Sequence, residues 1–261
     1  MLSRDEKQSK RERRQKSILH NLATEPTARV KSLAAKLDVT TETIRRDLEE
    51  LAEQGLIART YGGAMLRRTE EPALKQRERH LVKEREAIAR KTLTRINRGR
   101  CFMIGSGATT TAVARRIAFE LRDVTVISHS VAVAAALSEN PTIQVLMLPG
   151  EYHAGEGAMH GAQATRFLQD YTADWAILGA SALSPDGPSD ALVEASEVYR
   201  MMLRQASQNI VVADHSKFDR MAAARYANWT DIDYLATDKK PEGPLAQGLV
   251  NGRVELCLAG T

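Results

Sequence analysis

The apolar residues in the first quarter of the chain recur at helical spacing. Three stripes follow one another: Ile18, Leu19 and Leu22; Val30, Leu33, Ala34 and Leu37; and Ile44, Leu48 and Leu51. Because residues three and four positions apart share one face of a helix, this pattern predicts three helices that bury their stripes together. Asp38 and Val39 leave room only for a tight turn. Thr40 is a favourable N-cap for the third helix, and Gly55 is a favourable end for it.

The next segment, LIARTYGGA, alternates apolar and polar residues and then reaches Gly62 and Gly63. Alternation followed by two glycines predicts a short β-hairpin. Two short helices joined by a tight turn and followed by a hairpin form a winged helix-turn-helix. The second helix of that motif normally enters the major groove of DNA.

The pattern changes after residue 83. Short apolar runs without clean alternation are separated by helical segments, and the runs are CFMI, VTVI, IQVLML, WAILGA and NIVVA. Such runs are typical of parallel strands covered on both faces, so we expect an open α/β sheet. The segment between the two patterns is highly charged and contains one proline. We therefore expect a winged helix-turn-helix at 1–68, a linker at 69–83 and an α/β domain at 84–261.

Composition is that of a folded protein, with 43% hydrophobic and 27% charged residues. No apolar run approaches the roughly 18 residues of a membrane span, and no apolar segment follows the basic N-terminus, so we expect a cytoplasmic protein. The two cysteines, Cys101 and Cys257, lie in apolar runs. Buried thiols are the favoured interpretation, rather than a disulfide or a zinc cluster.

Positive charge is concentrated at the N-terminus. Residues 1–68 hold 15 of the 37 Lys and Arg residues but only 10 of the 33 Asp and Glu residues, which leaves 22 and 23 for the remainder. A small basic module attached to a nearly neutral domain favours binding to a polyanion, although a solvated helical face would have the same composition.

Arg45 and Arg46 lie on the third predicted helix and point away from the side of Ile44. Arginine binds DNA phosphates and also the edge of guanine, so these two residues predict a DNA-binding surface. The alternative is that they form ion pairs along the helix with acidic neighbours, namely Asp47, Glu49 and Glu50.

The residues VTTETIRRDLEELAEQGLIARTYGGA also resemble the N-terminal signature of the DeoR family of bacterial transcription regulators. The resemblance implies that TIRRDL lies in the recognition helix and that the segment ending in GGA is the wing. The residues that we expect to contact double-stranded operator DNA are Thr41, Glu42, Thr43, Arg45, Arg46, Arg59 and Tyr61.

A second candidate site follows the strand CFMI. The loop 105–110, GSGATT, lies directly before a predicted helix. Glycines allow a ligand to approach closely, hydroxyls donate hydrogen bonds, and a helix N-terminus favours an anion such as phosphate. The loop matches neither the P-loop nor GxGxxG, and by itself a plain structural turn explains it equally well.

Together with the later strand ends, this loop is similar to the effector domain of the DeoR family, and ADHSKF at 213–218 is the most specific match. The resemblance implies the fold of ribose-phosphate isomerases and a phosphorylated sugar or polyol as effector, with Ser106, Thr109, Thr110 and Lys217 on the phosphate side. The expected effector-binding residues are Gly105, Ser106, Gly107, Thr109, Thr110, Ser128, His129, Gly150, Glu197 and Lys217.

The sequence departs from the family pattern at three places. Gly105 stands where the family usually has Asp, Ser128-His129 where it has Thr-Asn, and Tyr199 where Lys is frequent. We therefore expect an effector that differs from the commoner sugar phosphates. His129 would either bind an anion or serve as a hydrogen-bonded structural group.

Two other groupings are weak. His153, Glu156 and His160 have a spacing that would suit a metal ion, but the intervening sequence predicts a loop without fixed geometry. Ser130, His129 and Asp214 do not form a recognisable triad, because GxSxG is absent. We expect neither a metal nor a cofactor.

The sequence thus predicts a DNA-binding regulator, most simply a repressor, acting as a homodimer or homotetramer on paired half-sites. An alternative is a sugar-phosphate isomerase-like enzyme on the same fold, with Glu197, Asp214 or Lys217 as acid or base. The basic N-terminal module and the missing carboxylate at Gly105 argue against it. A sensor that binds a protein partner through its N-terminal module is a third possibility.

Overall fold

The computed structural model describes residues 11, 13–15, 17–19, 21–22, 27–53, 57–60, 62–66 and 71–260. The chain divides into two compact units, Met1–Thr69 and Glu70–Thr261, here called the head and the body. Gly55 and Tyr61, which the sequence assigned to a helix end and to the wing, lie outside the described residues.

The head contains helices packed beside a small antiparallel sheet. Its elements are β1 (Thr27–Arg29), α1 (Val30–Lys36), α2 (Thr41–Glu53), β2 (Ile57–Thr60) and β3 (Gly63–Leu66). The described residues between 11 and 22 are also helical. The sheet order is β1-β3-β2, so the predicted hairpin is confirmed, and β1 is a third strand that the sequence pattern did not indicate.

The three apolar stripes form the core of the head, as predicted. Ile18, Ile44 and Leu48 are completely buried, and the other stripe residues pack around them. The backbone N–H of Thr43 donates to the Thr40 hydroxyl at 3.2 Å, which confirms Thr40 as the N-cap of α2. A Cβ at Gly63 would lie 2.1 Å from the Ala28 carbonyl oxygen, so β1 can pair with β3 only because this residue is glycine.

The body alternates helices and strands. Its helices are α3 (Leu74–Arg77), α4 (Val82–Ile96), α5 (Ala108–Glu120), α6 (Val131–Leu137), α7 (Ala162–Leu168), α8 (Val193–Gln205) and α9 (Gly243–Gly252). Its strands are β4 (Cys101–Ile104), β5 (Thr125–Ser128), β6 (Gln144–Met147), β7 (Glu151–His153), β8 (Ala158–His160), β9 (Ala173–Leu178), β10 (Ala182–Ser184), β11 (Gly187–Asp190), β12 (Ala206–Val212), β13 (Ala224–Arg225), β14 (Tyr234–Thr237) and β15 (Glu255–Leu258).

Seven of these strands form one sheet in the order β15-β14-β12-β9-β4-β5-β6, with every neighbouring pair parallel. Apolar clusters cover both faces of the sheet. The predicted open α/β fold is confirmed. The β7–β8 hairpin and the small sheet β10-β11-β13 are additions that short, partly polar segments did not indicate.

The strand order reverses direction between β4 and β9. From β4 the sheet extends outward through β5 and β6, whereas from β9 it extends the other way through β12, β14 and β15. At such a switch point the connections leave in opposite directions and open a crevice beyond the carboxyl ends of the strands. Here the crevice lies between the loop after Ile104 and the residues after Leu178.

Residues 71–81, which the sequence assigned to a linker, belong to the body by their contacts. Leu74 is buried, and its N–H donates to the Gly155 carbonyl at 2.9 Å. The side chains of Glu71 and Arg77 are only 10% and 12% exposed, because each is paired with opposite charges. Two of the charges of this segment are therefore internal ion-pair partners, which composition cannot distinguish from charges on a solvated linker.

Both cysteines are free; Cys257 is buried and Cys101 is partly buried. Among the described helices, none has the length and apolar character needed to span a membrane.

Candidate DNA-binding face and effector cleft

The exposed face of α2 carries Glu42, Arg45 and Arg46, whose side chains are 64%, 57% and 77% exposed. Arg45 Nη1 lies 3.5 Å and Arg46 Nε lies 3.9 Å from the Glu42 carboxylate. Ion pairs as exposed as these contribute only about 0–1 kcal/mol. Both guanidinium groups are therefore accessible to a more strongly charged surface.

The acidic residues that could have neutralised these arginines have other partners. Asp47, which is 2% exposed, accepts from Arg14 Nη2 at 3.0 Å, and Glu50 pairs with Arg11 at 3.0 Å. Within the described residues, the pairing of Arg45 and Arg46 with Asp47, Glu49 or Glu50 is thus not observed. Asp47 and Glu50 on α2 pair instead with Arg14 and Arg11, in the basic helical segment near the N-terminus.

The other predicted DNA contacts are differently placed. The Thr43 hydroxyl lies 2.9 Å from that of Thr40, at the start of α2, and Thr41 is partly buried beside it. Arg59, on β2, is 38% exposed and lies 3.6 Å from Glu49. Tyr61 cannot be placed, because it lies outside the described residues.

In the body, a cleft lies at the switch point of the sheet. It is lined by Arg77, Arg85, Ser106, Gly107, Ala108, Thr109, Glu156, Gly179, Ala180, Asp190 and Lys217. Four predicted effector residues are among them: Ser106, Gly107, Thr109 and Lys217. The loop after β4 and the ADHSKF turn after β12 therefore meet here, as parallel strands require.

The N-terminus of α5 faces this cleft without a side-chain cap. The N-cap Gly107 has a φ of 136°, and within the described residues no side-chain cap accepts from the first turn of the helix. The 13-residue helix thus leaves N–H groups of its first turn available at its partially positive end. The absence of a side chain at Gly179 leaves space in the cleft, since a Cβ there would lie 3.2 Å from the Ser106 carbonyl oxygen.

Three predicted effector residues have structural roles instead. The hydroxyl of Thr110, which is completely buried, donates to the Gly107 carbonyl at 2.9 Å. The Ser128 hydroxyl donates to the Ile104 carbonyl at 2.7 Å and so joins the ends of β5 and β4. A Cβ at Gly150 would lie 2.3 Å from the His160 carbonyl oxygen, so this glycine allows a close backbone contact.

Glu197 was also predicted to bind the effector, but it lies on α8 outside the cleft. The buried positions of α8 are Ala195, Ser196, Val198, Tyr199 and Met202. Glu197 lies on the exposed face of the helix and does not line the cleft.

His129 supports the loop rather than offering a charge to an anion. It is completely buried, its Nε2 accepts from the Ser106 N–H at 2.9 Å, and its Nδ1 lies 3.0 Å from the Met159 carbonyl. These partners require the neutral ring with a proton on Nδ1. Burial, together with the neighbouring His160, lowers the pKa of His129 to about 3. Of the two roles that the sequence left open, the structure supports the hydrogen-bonded one.

Gly105 and Tyr199 form a matched pair. A Cβ at Gly105 would lie 2.6 Å from Cε1 of Tyr199, so the tyrosine ring fills the space that a side chain at 105 would need. The Tyr199 hydroxyl donates to the Ser106 carbonyl at 2.8 Å and lies 3.1 Å from the Ser106 hydroxyl. Through these contacts Tyr199 fixes the position of Ser106 in the loop that lines the cleft.

The cations of the cleft are paired with carboxylates. Lys217 Nζ lies 2.6 Å and Arg77 Nη1 lies 3.2 Å from Glu71, while Arg77 also pairs with Glu156. Burial and the nearby charges of Glu71 and Glu156 raise the pKa of Asp190 to about 7, despite a hydrogen bond from a backbone N–H. Sequence reasoning missed these partners because they come from the presumed linker, the β7–β8 turn and the small sheet.

A buried ion pair fixes the turn that carries Lys217. Asp214 is completely buried, accepts from the Ser216 N–H at 3.1 Å, and lies 3.3 Å from Arg85 Nη2 on α4. Asp214 caps the turn His215–Lys217 and is already paired, so it is poorly suited to act as a free acid or base.

The histidine grouping considered for a metal does not converge. His153 Nδ1 accepts from the Glu156 N–H at 3.2 Å, whereas the Glu156 carboxylate pairs with Arg77. His160 is buried. Within the part of the chain that the structure describes, no group of three or more His, Cys, Asp or Glu residues is placed to hold a metal ion.

Comparison with known families decides the identity of both units. The DeoR-like helix-turn-helix domain matches residues 14–70, and the DeoR C-terminal sensor domain matches residues 81–239. The chain belongs to the DeoR family of transcription regulators. The family predicted from TIRRDL, GGA and ADHSKF is therefore confirmed, as is a regulator rather than an enzyme.

Curated relatives match this DeoR-family protein over most of its length. It is 31% identical to the HTH-type transcriptional repressor CsqR of Escherichia coli K12, over 94% of both chains. It is 32% identical to the glycerol-3-phosphate regulon repressor of Haemophilus influenzae, over 81% of this chain and 83% of the relative.

Among solved structures, ribose 5-phosphate isomerase A from Methanocaldococcus jannaschii matches 51% of this chain and 53% of its own, with 16% identity and a TM-score of 0.39. An eIF-2B from Pyrococcus horikoshii matches 88% of both chains, with 14% identity and a TM-score of 0.40. These likenesses are too distant to support an argument about function.

The Gly105–Tyr199 contact can be tested with a double-mutant cycle. Gly105→Ala should destabilise the protein by about 1–3 kcal/mol, because the added methyl group meets a buried ring. In a Tyr199→Leu background the same change should cost much less, since the ring is gone. Urea unfolding of the four proteins measures the coupling, and additive effects would show that the ring does not occupy the space at 105.

The neutral state of His129 predicts a pH dependence. Its pKa is about 3 in the folded protein against 6.5 ordinarily, so between these values the unfolded chain binds the additional proton. Stability should therefore fall as the pH drops below 6.5, by up to about 1.4 kcal/mol per pH unit from this group. Urea unfolding from pH 7 to pH 4 should show a shallower loss for His129→Gln than for the parent or for the exposed control His80→Gln. Equal slopes would contradict the buried neutral ring.

Proposed function

We propose that this protein represses a carbohydrate or polyol catabolic operon and is released from its operator when a phosphorylated sugar or polyol binds the body. The observation that carries the proposal is the uncapped N-terminus of α5, which opens into a cleft beside Lys217. A curated relative is named for a glycerol-3-phosphate regulon, which agrees with a phosphorylated polyol as ligand.

The phosphate would lie at the start of α5. Free N–H groups of the first turn and the positive end of the helix dipole favour an anion there. Ser106, Gly107 and Thr109 line this end of the cleft, and Lys217 adds a point charge suited to phosphate. The remainder of the ligand would extend toward Asp190 and Glu156, whose oxygens can hydrogen-bond to hydroxyls.

The head would bind double-stranded DNA through α2 and the wing, with Arg45 and Arg46 presented to the groove. A recognition helix of 13 residues makes a small contact, so we infer a homodimer or homotetramer on paired half-sites. A regulator of operon DNA acts where that DNA is, and we therefore place the protein in the cytoplasm.

The isomerase-like alternative has little geometric support. Two of its three candidate acid–base groups are unsuitable, since Glu197 is exposed outside the cleft and Asp214 is held by Arg85. The third, Lys217, is paired with Glu71.

A thermal-shift screen of phosphorylated sugars and polyols tests the effector site. A true effector at 100 times its Kd should stabilise the native state by about 2.7 kcal/mol, a shift of roughly 5–10 °C. Lys217→Ala should lose most of the shift because it removes the point charge on the phosphate, whereas Lys83→Ala, an exposed lysine on α4, should keep it. An undiminished shift in Lys217→Ala would remove the lysine from the site.

Arg46→Ala tests the DNA-binding face. The side chain is exposed, so the fold and melting temperature should be unchanged. If Arg46 contacts a guanine edge, binding to a duplex selected by the parent from a random pool should weaken by about 1–3 kcal/mol, with a smaller loss for non-specific DNA. If it contacts phosphate, both should weaken and the salt slope should fall by about one unit. Arg45→Ala shows which of the two reads sequence, and unchanged DNA binding in both variants would overturn the proposed interface.

A further inference from the structure

Glu71 is a buried carboxylate at the start of the described part of the body. It lies five positions after Leu66, the last residue of β3, and it precedes the exposed Pro72 and Ala73. Within the described chain, no backbone–backbone hydrogen bond involves residues 71 and 72. The first backbone hydrogen bond to another part of the body is made by Leu74, whose N–H donates to the Gly155 carbonyl. The side chain of Glu71 is therefore the main attachment of residues 71–72 to the body.

The Glu71 carboxylate has the partners of a bound anion. One oxygen lies 2.6 Å from Lys217 Nζ and 3.2 Å from Arg77 Nη1, and the other accepts from the Ser181 hydroxyl. An ammonium, a guanidinium and a hydroxyl bind phosphate as readily as carboxylate. Although burial raises the pKa of Glu71, Lys217 and Arg77 together lower it below its ordinary value, so the group is ionised near neutral pH.

The two cations that hold Glu71 also line the effector cleft. Glu156 and Asp190 line the cleft as well, so a phosphate at α5 would add negative charge where the cations already have partners. Binding then requires one carboxylate to give up its cations. Glu156 lies in the β7–β8 hairpin turn, whose backbone is held by hydrogen bonds, whereas Glu71 lies on the segment without them. Of these two carboxylates, Glu71 can therefore release its cations at the lower free-energy cost.

We propose that Arg77, Lys217 and Ser181 form an anion-binding set in which Glu71 stands in for the phosphate of the effector. A phosphate monoester bound at α5 takes Lys217 and Arg77 from Glu71 and frees the segment that covalently continues from the wing. This mechanism rests on the proposed function and gives it a route from ligand binding to a change in operator affinity. Because the two anions compete for the same cations, each weakens the binding of the other.

Phosphate affinity is the first test. Inorganic phosphate is titrated calorimetrically into the full-length protein at constant ionic strength. Glu71→Gln keeps the size of the side chain and its contact with Ser181, so the fold is preserved, which the melting temperature checks. It should bind phosphate about tenfold more tightly than the parent, because the competing charge is gone. Glu139→Gln, with the same charge change at an exposed position outside the cleft, should bind like the parent.

Operator binding separates displacement from a general charge effect. The probe is a duplex selected by the parent from a random pool, with and without phosphate. Phosphate should weaken binding by the parent 5- to 150-fold, the usual range of allosteric coupling. Glu71→Gln should bind the duplex weakly even without phosphate and respond less than about twofold. Glu139→Gln makes the same charge change at an exposed position outside the cleft and should keep the response of the parent.

The outcomes distinguish this mechanism from the proposed function. If phosphate binds the parent and not Lys217→Ala, but Glu71→Gln retains the affinity and the full response of the parent, the exchange is wrong and the effector site stands. If Glu139→Gln loses the response as completely as Glu71→Gln, the effect is one of net charge, and the exchange is also wrong. If phosphate binds none of these proteins, the effector site and the exchange both fall.

Discussion

Seven parallel strands impose one constraint on which the body depends: their carboxyl ends meet at a single edge of the sheet. Because the strand order reverses between β4 and β9, the connections diverge there and leave a cleft. The same edge receives the N-terminus of α5 and the turn after β12, which brings Thr109 and Lys217 together from positions over a hundred residues apart. The position of the site thus follows from the topology of the sheet, whichever side chains line it.

Charge inside the cleft is balanced by ion pairs within the protein. Two of these pairs differ in how strongly the surrounding backbone holds their partners. Arg85 and Asp214 are both nearly inaccessible, and each is tied to helix or turn backbone, so this pair fixes the scaffold. Separating such a buried pair leaves an uncompensated charge and costs about 3–5 kcal/mol. The Glu71–Lys217 pair is also buried, but its carboxylate comes from residues 71–72, which make no backbone–backbone hydrogen bond within the described chain. The cleft therefore contains one ion pair that fixes the scaffold and another whose carboxylate can be displaced.

Sequence patterns predicted what depends on burial, and missed what depends on pairing. The stripes around Ile44 and the runs at β4, β5 and β12 were recoverable because apolar spacing directly reflects the buried face. The strand β1 was not, since three residues carry no period. Nor were the roles of Glu71 and Arg77, because a charged residue looks the same in sequence whether solvent or an opposite charge neutralises it. Glu197 was assigned to the cleft as a motif neighbour, without regard to the helix face it occupies, and it lies on the exposed face of α8.

The departures from the family pattern at 105 and 199 are one physical feature. An aspartate at 105 would need the space that the Tyr199 ring occupies, since even a Cβ there would lie 2.6 Å from Cε1. Conversely, a lysine at 199 would leave the Ser106 carbonyl without the hydroxyl that now donates to it from a fully buried ring. His129 completes the arrangement from the other side by accepting the Ser106 N–H in its neutral form. The loop that carries the cleft residues is thus held by the uncharged Tyr199 and His129, and the family's ionisable residues at 105 and 199 are absent. In the proposed function, the charge of the ligand is therefore met by Lys217, Arg77 and the end of α5.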